Sequence, residues 1–130
     1  MTRKIAREET FILIFEKAFN DATCEEILEI AADVRDLDPD EYVNTVFKGV
    51  FENLEEIDAL ISEKAVGWKI NRISKTALSV LRLSIYEIKY MDDIPESVSI
   101  NEAVELCKKY ATKEDASFVN GILASVVKNQ

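Results

Sequence analysis

Histidine is absent from all 130 positions. Its absence removes the side chain that most often serves as general base or metal ligand near neutral pH, and with it most hydrolase and metal-site readings. Glycine and proline are scarce, with 3 and 2 copies, and no serine- or glycine-rich linker interrupts the chain. A β-rich or multidomain protein needs more turns than that, so long helices in one domain are expected. The two cysteines, Cys24 and Cys107, stand alone in helical patterns without C-x-x-C spacing, as packing thiols in the reduced state would. No apolar leader opens the chain, and no apolar run nears the roughly 18 residues of a membrane span. A cytoplasmic protein without a cofactor is expected.

What is present is apolar periodicity and uneven charge. The chain is 48% hydrophobic with a net charge of −9. Residues 21–63 hold fourteen acids against two bases, whereas residues 64–91 hold six bases and one acid. The first seven residues add Arg3, Lys4 and Arg7. If these two basic stretches meet, they form a positive patch on an acidic body; otherwise they only offset neighbouring acids.

The stretch Trp68–Met91 organises the rest. Ser74 can cap a helix over about 75–91. On a wheel, its apolar residues from Ala77 to Met91 cover roughly 220°, which calls for enclosure on several sides. Lys75, Ser79, Arg82, Tyr86 and Lys89 form the remaining polar strip, while Glu87 points into the apolar arc, where an unpaired carboxylate is costly.

Other segments follow the same logic. A first helix to Phe19 carries Phe11, Ile12, Phe15 and Phe19 on one face, flanked by Ile5, with Glu8 among them in need of a partner such as arginine. Ile14 falls in the opposing polar stripe beside Arg3 and Arg7, an exposed apolar residue that a homodimer interface could cover. Thr23–Glu26 is a capping box for a second helix to about Arg35, with Val34 inward. Asp38-Pro39-Asp40-Glu41 starts a third helix whose seam continues to about Lys64, and Gly49 within it marks a close helix crossing. Ser99–Glu102 is a capping box for a helix to about Tyr110, and a last helix spans about 116–128. Its Asn120-Gly121 pair predicts a close approach to a neighbour.

Several of these segments together resemble one family. Ala6-Arg7-Glu8, W-K-I-N-R-I from Trp68, L-R-L-S-I-Y-E-I from Leu81, I-P-E-S-V-S-I-N-E-A-V-E-L from Ile94 and F-V-N-G-I-L from Phe118 are similar, in this order, to the NusB family of bacterial transcription antitermination factors. The resemblance implies an all-α fold of six or seven helices in two small packed bundles, about residues 1–65 and 66–130. It implies no enzymatic activity. It also implies binding to boxA-type single-stranded RNA of ribosomal operons together with NusE, a small-subunit ribosomal protein, within an antitermination complex on RNA polymerase.

Carried onto this chain, the resemblance makes Arg3, Lys4, Arg7 and Phe118 RNA-contacting residues, with Asn120 beside the phenylalanine. Arg82 and Lys75 on the polar strip extend that surface, with Lys89 a further cation. Phe15 and Glu87 become NusE contacts, although Glu87 reads first as an internal ion pair with a base from another helix. A protein-only assembly module without RNA binding is the competing reading.

Overall fold

A computed structural model describes residues 1–37 and 40–128. They form seven helices and no strand: α1 (Arg3–Lys17), α2 (Cys24–Arg35), α3 (Glu41–Glu52), α4 (Leu54–Lys64), α5 (Lys75–Tyr90), α6 (Glu96–Tyr110) and α7 (Lys113–Lys128), with a 3-10 turn at Ile70–Arg72.

Local chemistry sets most of the helix starts. The Thr2 hydroxyl accepts from Ile5 N, the Thr23 hydroxyl from Glu26 N, and the Ser74 hydroxyl from Ala77 N. Glu26 answers by accepting from Thr23 N, completing the expected capping box. Asp40 caps α3 by accepting from Val43 N; Asp38 and Pro39, part of the expected start signal, lie outside the described residues. Two starts differ from expectation. α6 begins at Glu96 rather than beyond Ser99: Pro95 occupies the N-cap position without a side-chain cap, and the Ser99 hydroxyl donates to Glu87. α7 begins at Lys113, with Thr112 accepting from Asp115 N.

Two helices are shorter than their apolar patterns. α1 stops at Lys17, whose ammonium donates to Ala22 O at 2.7 Å, and Phe19 is left exposed. The expected long third helix is two helices. At Asn53 the backbone leaves the helical region, and its side chain donates to Gly49 O at 2.8 Å, sharing that acceptor with its own backbone N–H.

α5 is the central helix. It packs against α1, α3, α4, α6 and α7, and one apolar cluster runs through both halves of the chain. The polar strip read from its wheel is narrower than expected. Tyr86 is buried where α3 crosses at Gly49, and Ser79 is also buried, its hydroxyl donating to Lys75 O one turn back. A Cβ at Gly49 would overlap the Tyr86 ring, so glycine there is a packing requirement.

Ile14, expected on the surface, is 0% exposed, and Ile5 and Val34 are exposed where inward or flanking positions were expected. α1 contacts α3 and α5 as well as α2, so its apolar face is wider than the phenylalanine row alone. The burial of Ile14 removes the surface on which the homodimer reading rested. Gly121 also departs from expectation, since a Cβ there would meet nothing within 4 Å.

Candidate functional site

Among the described residues, Glu87 is a buried side chain with an unusually full set of partners. It is 1% exposed, and four donors converge on its two oxygens. Arg7 Nε donates to Oε2 at 2.7 Å and Arg7 Nη2 to Oε1 at 3.4 Å. The Tyr42 hydroxyl donates to Oε2, and the Ser99 hydroxyl donates to Oε1 at 2.7 Å. One carboxylate thus ties α1, α3 and α6 to α5. Burial works against the Arg7 charge, but the hydrogen bond and charge of Glu87 outweigh it and raise the guanidinium pKa. Burial beside Glu87 likewise pushes the Tyr42 phenol up, so Tyr42 stays a donor.

This geometry corrects two expectations. Arg7 is only 5% exposed and spent on Glu87, so it is an internal anchor rather than a phosphate contact. Glu87 has no face open to a second protein, which leaves the internal ion pair as its role. Phe15, placed with it as a partner contact, lies in an aromatic row. Phe11 and Phe15 pack tilted and Phe15 and Phe19 edge to face, with ring centroids 6.3 and 5.1 Å apart, and Phe11 meets Tyr110 at 5.0 Å. Phe19 and Tyr110 are exposed, so this row reaches the surface. Glu8 pairs with Lys109 at 2.9 Å at the surface, not with a buried arginine, and that hydrogen bond lowers the Glu8 pKa.

The remaining basic residues are separated. Arg3 is exposed, with its guanidinium 4.7 Å from the centroid of the Tyr42 ring, and it shares a cleft with Met91 at the C-terminal end of α5. The Lys4 side chain is 70% exposed and lies 3.3 Å from Glu102. Lys75 is exposed at the opposite end of α5, about 24 Å away for a helix of this length. Between them, Arg82 forms a two-pronged pair with Asp58 of α4, both bonds 2.9 Å, and its side chain is 13% exposed. Arg82 therefore reads as a brace between α4 and α5. Lys89, also exposed, lies 3.8 Å from Glu56.

Phe118 and Asn120 are likewise not brought together. Two positions along a helix differ by about 200°, so they flank the buried stripe of α7 on opposite sides. Phe118 is half-buried and meets Trp68 edge to face, with centroids 5.7 Å apart. The pair borders a slot of about 140 Å³ with Arg72, Ser74 and Asp115. Trp68 and Arg72 have no role assigned from the sequence; a tryptophan followed four positions on by an arginine is the signal it offers. Asn120, exposed, opens onto a larger groove of about 640 Å³ between α6 and α7. Among the described residues there is no cluster of potential metal ligands and no helix long and apolar enough to cross a membrane.

Comparison with known proteins places this arrangement. The chain is 46% identical over 128 residues to the transcription antitermination protein NusB of Agathobacter rectalis, covering 95% of this chain and 98% of that one. It superposes on the NusB structure of T. maritima with a TM-score of 0.89 at 36% identity, covering 100% of this chain and 93% of that chain. A chain in the crystal structure of antitermination factors NusB and NusE in complex with dsRNA matches with a TM-score of 0.88, covering 98% of this chain and 97% of that one. At 24% identity this likeness shows the fold alone. The sequence model of the NusB family matches residues 4–128, and the chain belongs to that family of non-enzymatic transcription antitermination proteins.

Proposed function

We propose that this chain binds boxA RNA of ribosomal operons jointly with NusE, and so suppresses premature termination by RNA polymerase. The observation that carries the reading is the aromatic pair Phe118–Trp68, open at the surface beside the cation of Arg72. Single-stranded RNA is recognised by stacking of splayed bases on aromatic rings, with cations taking the phosphates. Arg3 and Lys4 at the tip of α1 supply exposed positive charge on an otherwise acidic protein. Lys75, at the Ser74-capped end of α5, adds a cation on the Trp68 side. The same fold occurs in a complex of NusB and NusE with double-stranded RNA, which motivates testing NusE and RNA as partners here. The end of the aromatic row, with Phe19 exposed and Phe15 half-buried behind it, is the surface offered to NusE, because an exposed phenylalanine backed by a second ring is a ready apolar anchor.

Titration of labelled boxA RNA against the chain, with and without NusE and at two salt concentrations, tests this reading. Salt-sensitive binding that NusE tightens is the expected result. Binding equal to that of a scrambled RNA under all four conditions would overturn it.

A further inference from the structure

The groove between α6 and α7 differs in charge from the clefts elsewhere on the molecule. Ile100, Val104 and Ala116 line it with apolar surface, Asn101 and Asn120 bring side-chain amides, and Lys108 and Lys113 bring ammonium groups. No carboxylate lines it. The slot at Trp68, the pit between α1 and α6, the cleft at Arg3 and the cleft beside α2 are each lined by at least one acid. On a chain with net charge −9, a carboxylate-free groove with two exposed lysines is where a polyanion meets least repulsion. The volume of about 640 Å³ falls in the range usual for ligand clefts.

We infer that this groove is a second RNA subsite, taking unpaired bases against the Ile100–Val104–Ala116 floor while Asn101 and Asn120 read base edges and Lys108 and Lys113 hold phosphates. The inference rests on the RNA-binding reading above and extends it to a surface with no aromatic platform. An asparagine amide offers both a donor and an acceptor, which suits the edge of an unpaired base. Lys108 has one partner within α6, Glu105 at 3.7 Å. That exposed pair is weak and can yield to a phosphate. Asn101 neighbours Glu102, the partner of Lys4, so the groove adjoins the α1 tip. Toward Phe118, the outer face of α7 carries Ser117 and Gly121, and the bare backbone of Gly121 leaves that crossing low. One strand can therefore run through the groove and over α7 to the aromatic pair.

Two double variants at exposed positions test this against labelled single-stranded boxA RNA, in the presence of NusE. Lys108→Ala/Lys113→Ala is expected to lower the slope of log K against log salt by about 1.4, at roughly 0.7 per phosphate contact on a single strand. Asn101→Ala/Asn120→Ala is expected to weaken binding by an order of magnitude while leaving the slope unchanged. Unaltered RNA binding by both variants, with the parent chain binding normally, overturns the groove and leaves the RNA-binding reading standing. Loss of NusE binding with intact RNA binding shows a protein surface instead and also overturns it. A parent chain that fails to bind the RNA overturns both.

Discussion

Arg7 and Glu87 lie 80 positions apart in sequence and 2.7 Å apart in the fold. Through this pair the most N-terminal helix is locked onto the central one, with Tyr42 and Ser99 completing the carboxylate's shell. The consequence is a division of labour at the N-terminus. Arg3 and Lys4 face solvent, while Arg7, one turn further along, holds the fold together.

Removing one member of a buried ion pair leaves an uncompensated group, at a typical cost of about 3–5 kcal/mol. Glu87→Gln and Arg7→Ala are each expected to lower stability on that scale. The double variant should cost clearly less than the sum of the two. Urea denaturation of the four proteins in the cycle measures this; simple additivity would show that the pair is not coupled.

Two glycines in helices should respond oppositely to alanine. At Gly49 the added methyl overlaps the Tyr86 ring, and such overpacking costs about 1–3 kcal/mol. At Gly121 the methyl meets nothing, so the gain in helix propensity, about 1 kcal/mol, is expected to appear as a higher Tm. Thermal unfolding followed by circular dichroism reads both.

Arg82 and Asp58 form a two-pronged, partly exposed pair. Arg82→Ala is expected to cost about 1 kcal/mol of stability and to leave the salt dependence of RNA binding unchanged. A reduced slope in that variant would return Arg82 to the RNA-facing surface.

Acid titration should report the Glu8–Lys109 contact. The folded pKa of Glu8 lies below its ordinary value because Lys109 donates to the carboxylate. Its contribution to stability is therefore complete above the ordinary glutamate pKa and is lost as pH falls through the lowered folded value. Glu8→Gln should lower stability slightly at neutral pH and flatten the acid limb of the stability profile. An acid limb identical to that of the parent would count against the contact.

Much of this fold was legible because its signals are local. Thr23 and Ser74 each cap a helix by reaching three residues ahead, and a sequence window contains both ends of such a bond. The break at Asn53 was hidden because the apolar seam keeps its three- and four-residue steps through Leu54 and Ile57. Ile14 and Tyr86 were misplaced for a different reason. Their wheels show polar neighbours, but α1 and α5 are covered on more than one side, and coverage comes from distant helices.

The candidate site divided along the same line. Exposure of Arg3, Lys4, Lys75 and Asn120 agrees with a surface role, whereas the destinations of Arg7 and Arg82 depend on acids 80 and 24 positions away. Glu87 needed a basic partner from another helix, and the pattern alone could not say which of the cations it was. Trp68 was visible as a residue but not as half of a stacking pair, since Phe118 lies fifty positions further on.

The claim that exposed cations at the α1 tip meet RNA phosphates is tested most directly by the salt dependence of boxA RNA affinity for the parent chain and for Arg3→Ala/Lys4→Ala. A slope shallower by about 1.4 is expected in the variant, for two lost phosphate contacts on a single strand. An unchanged slope together with unchanged affinity would contradict it.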